Sequence, residues 1–139
     1  MTRFRVALTT LAGTAAMLTL AAARQLAALS GAQPGLWEIS GTPGSFAPIR
    51  QCFMDIAVLA RFEHRMRTCN HTVLRDGVSS TTVNYSCGGA GFGRSEVNVI
   101  TPRSLRISTQ GISDGMPFNY VLQARRVDDC PKATASLRH

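Results

Sequence analysis

Cys69-Asn70-His71-Thr72-Val73-Leu74-Arg75-Asp76-Gly77-Val78-Ser79-Ser80-Thr81-Thr82-Val83-Asn84-Tyr85-Ser86-Cys87 is the stretch whose reading decides the fold. Val, Thr and Tyr carry branched or flat side chains that suit a pleated surface, and Asp76-Gly77 tolerates the positive φ of a tight reversal. The stretch therefore reads as a β-hairpin with a cysteine at each end. Register adds a condition. A two-residue Asp76-Gly77 loop pairs Arg75 with Val78 and sets Cys69 opposite Asn84, about 10 Å along the strand from Cys87 and out of disulfide reach. A Cys69–Cys87 bridge requires instead a longer loop centred on Val78, or a bulge.

Downstream, Gly88-Gly89-Ala90-Gly91-Phe92-Gly93 resembles a phosphate-cradling loop, but no helix follows it and Arg94 opens a strand, so it is read as a mobile glycine connection. Val97 and Val99 alternate with Glu96 and Asn98, Thr101-Pro102-Arg103-Ser104 turns the chain, and Leu105 and Ile107 alternate with Arg106 and Ser108. These residues make a second hairpin. Gly111 to Pro117 is a further connection, and the last strand sets Phe118, Tyr120, Leu122 and Ala124 against Asn119, Gln123 and Arg125.

Upstream, Gly35 to Ser40 alternates so that Trp37 and Ile39 share one face, a first strand with the single tryptophan as a core anchor. Gly41 to Ile49, with Pro43, Gly44 and Pro48, is read as a loop. Over Cys52–Arg67 the period changes, with Phe53, Ile56, Ala57 and Ala60 on one helical stripe. Such a helix carries Asp55 in its first turn and lacks a capping residue immediately before it. Glu63-His64 has no second histidine at helical spacing, so His64 is expected at the surface and no metal is implied. The fold class that follows is mainly β (α+β): a curved antiparallel meander of about six strands with one short helix, stapled by disulfides.

The 139-residue chain has room for one modest core. Arg3 and Arg5 precede an apolar run, Val6 to Ala23, which marks residues 1–32 as a secretory signal peptide, with cleavage after Ala23 or after Ala32. A retained membrane anchor is the rival reading, weakened by threonines and a glycine in the run. Residues 33–131 then form a single secreted β-rich domain and residues 132–139 a polar tail. The four cysteines, Cys52, Cys69, Cys87 and Cys130, all lie beyond the signal, as disulfides in an oxidising compartment would require. Their spacing contains no C-x-x-C pair and argues against zinc. In a meander, Cys69–Cys87 with Cys52–Cys130 is favoured, and Cys52–Cys69 with Cys87–Cys130 is the alternative. Removing Arg3, Arg5 and Arg24 from the 15 basic residues leaves 12 against 8 acidic, a mild +4. That charge speaks to solubility and to weak affinity for anionic envelope material.

Pro34-Gly35-Leu36-Trp37-Glu38, Gln51-Cys52 before the helical stripe, Cys69 and Cys87 around a hairpin, and Arg125-Arg126-Val127 ahead of Cys130 recur in one order and spacing. In these the chain resembles the bacterial envelope family catalogued as domain of unknown function 3617, although Asp128-Asp129 stands where members usually carry a glycine. The resemblance covers nearly all of the mature chain. It implies a secreted, disulfide-bonded, β-rich periplasmic domain of Gram-negative bacteria and no particular activity.

For function, the sequence contains no G-x-S-x-G elbow, no paired carboxylates and no partnered histidine, hence no candidate catalytic residue and no cofactor. A non-enzymatic module for an envelope lipid, glycan or protein, bound on the uncovered sheet face or at its glycine-rich end, is the leading reading. Arg125 and Arg126 are its candidate anion contacts. The alternative is a small periplasmic hydrolase-like enzyme whose site forms only in the fold. Nucleic acid is not an expected partner, since aromatics do not interleave with the basic residues, and no membrane span is expected after signal cleavage.

Overall fold

The computed structural model describes residues 26–132, and the expected signal run Val6 to Ala23 and the end of the polar tail lie outside them. Seven strands form one antiparallel sheet: β1 Gly35–Ser40, β2 Ile49–Phe53, β3 Asn70–Asp76, β4 Ser80–Ser86, β5 Gly91–Thr101, β6 Ser104–Ser113 and β7 Met116–Asp128. Their order is β2-β1-β7-β6-β5-β4-β3. From β3 to β7 the chain is the simple meander that short connections dictate. β1 then pairs with β7 rather than with the hairpin that follows it, as a simple meander would have it, and β2, a strand where a loop and a helix were expected, occupies the outer edge opposite β3.

Between those edges the chain crosses one face of the sheet as a 3₁₀ helix, Ile56–His64, kinked at Arg61. The expected helix began at Cys52. Gln51, Cys52 and Phe53 instead finish strand β2, and the helix starts after Asp55, whose side chain caps it by accepting the Ala57 N–H at 3.0 Å. Three residues per turn puts Ile56, Leu59 and Phe62 on one line, and all three are buried. Arg61 closes the far end by donating to the carbonyls of His64, Arg65 and Arg67.

Under this helix the core gathers Trp37, Ile39, Val97, Leu105, Ile107 and Leu122, each fully buried. Trp37 donates its indole N–H to the Gln33 carbonyl at 3.1 Å. The segment before β1 belongs to the same core. A short 3₁₀ turn, Ala27–Leu29, packs on β4 and β5, with Leu26, Ala28, Leu29 and Ala32 buried, so residues ahead of position 33, where the domain was expected to start, belong to the same core.

The two disulfides join Cys69 to Cys87 and Cys52 to Cys130, the favoured pairing. The first is reached as register demanded. The β3–β4 loop spans Gly77 to Ser79, Asp76 pairs with Thr81, and a bulge between Val73 and Arg75 slips the register so that Asn70 pairs with Ser86 and Cys69 faces Cys87 across 4.1 Å between Cα atoms. Asp76 and Gly77 do not adopt the positive φ of a tight turn; that geometry falls to Asp114 (φ 47°) and Gly115 (φ 81°), which join β6 to β7 where a longer connection was expected. With Cys52 in β2 rather than at the start of a helix, the second bridge fastens that edge strand to the chain just beyond β7, spanning β1.

Candidate functional site

Residues alternate along each strand, and direct register partners share a face. The helix and the Leu26–Ala32 segment cover the face of Tyr85, Val97 and Leu122. The opposite face is uncovered. On it the meander aligns two rows. Thr72, Asn84, Arg94, Gln110 and Asn119 are successive partners across β3 to β7, and beside them run Asn70, Ser86, Phe92, Ile112 and Pro117. Together these rows, Pro117 apart, line a trough of about 850 Å³, with Tyr85, Gly93, Gly111 and Phe118 completing it. Phe92 is 56% exposed, too much for a core residue, and it stands as an aromatic wall within a polar lining. Arg94 donates through Nε to Asn84 Oδ1 at 2.8 Å.

Glycine sets the floor. Gly93 pairs with Gly111, and on the covered side Tyr85 and Phe118 lie against them. A Cβ on Gly93 would come within 2.5 Å of the Tyr85 hydroxyl oxygen, and one on Gly111 within 2.9 Å of the Phe118 ring. The glycines let aromatic rings pack flat against the sheet beneath the trough.

Beneath that floor lies a polar cluster that the sequence did not announce. His64, expected at the surface, is 3% exposed, because the kinked helix turns its last residue inward. Its Nε2 hydrogen bonds with the Ala90 carbonyl at 3.0 Å, and its ring packs edge-on against Tyr85 and tilted against Phe118. The Gly88–Ala90 turn, read as a mobile link, is tied down by Ala90 N–H to the Cys87 carbonyl and Asp114 N–H to the Ala90 carbonyl. Strand β5 opens at Gly91 rather than at Arg94. Tyr120 donates its hydroxyl to Glu63 Oε2 at 2.7 Å. Burial first, and then the Glu63 carboxylate, holds the Tyr120 phenol well above its ordinary range, and burial likewise pushes Tyr85 up.

The candidate anion contacts lie elsewhere. Arg125 shares the Glu38 carboxylate with Arg50, at 3.3 and 3.0 Å, in a row across β2, β1 and β7. Arg126 donates to the Pro34 carbonyl at 2.7 Å and pairs with Asp129. Both arginines therefore have partners, and neither borders the trough. Of the four cysteines, each is in a disulfide. A second cavity, of about 410 Å³, lies between the helix and the β3–β4 edge, lined by Ala57, Val58, Ala60, Arg61, His71 and Val83 among others. Among the described residues no group of three His, Cys, Asp or Glu is placed to hold a metal, and no helix is long and apolar enough to cross a membrane.

Sequence reading placed strands β3 to β7 but argued register only for the β3–β4 hairpin, so the two rows could not be assembled from it. A signal was present: Asn84, Arg94, Gln110 and Asn119 each sit near the Cys87 or Asp114 end of their strand. The chain matches no family model, no curated protein and no solved structure.

Proposed function

We propose that this chain is an exported, non-enzymatic envelope module, of the family its motifs resemble, that holds an envelope component in the trough of the uncovered sheet face. The observation carrying this reading is the chemistry of the trough lining. It offers amides, hydroxyls, one guanidinium and an exposed aromatic ring, and it contains no carboxylate, imidazole or thiol. A surface of that kind can donate, accept and stack, while its hydroxyls, on Thr72, Ser86 and Tyr85, have no carboxylate or imidazole in the lining to activate them. Two disulfides in so small a core support the periplasm as its compartment.

Amide chemical shifts of ¹⁵N-labelled protein, followed as fractionated envelope glycan, lipid vesicles and envelope proteins are added in turn, test the reading. Perturbations should map to the rows through Asn84, Arg94 and Gln110 and through Phe92 and Ile112. Shifts confined to the helix-covered side, or none with any fraction, would overturn it.

A further inference from the structure

Resting on the trough as the ligand site, we infer that its ligand is an acidic glycan, an extended sugar chain bearing carboxylates, laid across the strands along the Thr72 to Asn119 row. Three observations converge on that chemistry. The first is the row itself. Its five side chains stand on five adjacent strands, and at about 4.8 Å per strand the row is roughly 19 Å long. One strand spacing is close to the length of a pyranose ring, so successive sugars meet successive side chains. Asn84, Gln110 and Asn119 each present both donors and an acceptor, the complement of hydroxyls that also donate and accept.

The second is Phe92, an exposed ring in the neighbouring row with Ile112 as its register partner on β6. A sugar has an apolar face of C–H groups and a polar edge of hydroxyls. Phe92 and Ile112, in a row whose other lining members are Asn70 and Ser86, set an apolar patch beside the amide row that matches those two sides, whereas a lipid chain would leave the amides unpaired.

Charge is the third. Arg94 is the single ionised group lining the trough. Its Nε is held by Asn84, and among the described residues no carboxylate pairs with its terminal nitrogens. Glu96, one rung along the same face, accepts from Asn98 instead, at 3.2 Å. A guanidinium so oriented and left without an anion fits a carboxylate bidentately. On the same face Arg50 and Arg125 both engage Glu38, whereas Arg94, within the trough, has no carboxylate partner.

Tetragalacturonate is the probe, with its fully methyl-esterified form as the uncharged control, each titrated into ¹⁵N-labelled protein at low salt. The acid should shift amides of the two rows. Esterification and Arg94→Gln should each lower affinity about tenfold, the loss of one charge-assisted hydrogen-bonded pair. Phe92→Ala, at an exposed site, should also weaken binding, while Arg106→Gln on a distant rung of the same face should bind as the wild type. Equal binding of the ester, or of Arg94→Gln, would overturn the acidic-glycan inference while leaving the trough as a ligand site. Silence of both rows toward both sugars would overturn it too, and the envelope-fraction titration would then decide separately whether the trough binds anything.

Discussion

The Asp76 carboxylate accepts the backbone N–H of Ala27 at 2.8 Å, although the two residues stand 49 positions apart. Its second oxygen accepts from Ala28 N–H at 3.3 Å, so a residue expected to shape a turn instead caps the 3₁₀ turn that leads into the core. Asp76→Ala should cost about 1–2 kcal/mol, as loss of a helix N-cap does, read as a fall in urea midpoint.

The same contact bears on processing. Cleavage after Ala32 would remove Leu26, Ala28, Leu29 and Ala32, all buried, and would leave Asp76 without its partners. On the proposed export, signal cleavage should therefore leave Arg24 as the new N-terminus. Intact mass of the exported chain checks this directly. A recombinant chain starting at Gln33 should be several kcal/mol less stable than one starting at Arg24, since large buried side chains are worth about 1.5–3 kcal/mol each. A stable exported form beginning at Gln33 would defeat the argument.

Non-reducing peptide mapping should find Cys69 with Cys87 and Cys52 with Cys130. In the chain-entropy model the 18-residue separation is worth about 3 kcal/mol and the 78-residue separation about 4.5 kcal/mol. Replacing Cys52 and Cys130 together by serine should thus lower the melting temperature more than replacing Cys69 and Cys87. The reverse order would mean that local strand pairing, not chain closure, sets the effect.

How much of this was legible in the sequence depends on range. Trp37 and Ile39, the Pro102-Arg103 turn and the alternation of Phe118 to Arg125 are set by nearest neighbours and by period two, and they were readable. The Cys69–Cys87 bridge was readable too, because register converts a disulfide into a condition on the loop. What escaped were choices made by distant partners. β2 was hidden in a short run after two prolines and gains its ladder from β1. The pairing of β1 with β7 joins the two ends of the domain, which no local pattern encodes. His64 is drawn inward by the kink at Arg61, and the trough needed the registers of four strand pairs at once.

Gly91 offers a sharp test of the loop over His64. Its φ is +124°, a Cβ there would collide with the Ile112 carbonyl and would lie 3.0 Å from His64 Nε2. Gly91→Ala should therefore destabilise by more than 1 kcal/mol, through backbone strain together with displacement of the Ile112 strand. Gly89→Ala is the contrast, because nothing lies near its added Cβ and its φ is ordinary; its stability should match the wild type. If both variants unfold alike in urea, the glycine turn is not the constrained cap described.

The two tyrosines, Tyr85 and Tyr120, are the only ones in the chain, so the ultraviolet absorbance of phenolate reads this cluster and nothing else. Both phenols are raised in the folded protein, by burial first, with the Glu63 carboxylate next in importance for Tyr120. An unfolded tyrosine loses its proton near pH 10. Above that pH the unfolded chain releases protons that the folded chain still holds, so unfolding is favoured progressively. The tyrosine contribution to stability is therefore complete below about pH 10 and is lost as pH rises beyond it toward the folded values. Tyr120→Phe should make the alkaline decline shallower, leaving Tyr85 as the remaining source. It should also cost about 1 kcal/mol at neutral pH for the lost hydrogen bond to Glu63. Glu63→Gln should bring Tyr120 part of the way back, because it removes the charge and leaves the burial. Phenolate appearing near pH 10 in the native protein, at the same point as in denaturant, would show that the cluster is open to solvent and not sealed beneath the trough.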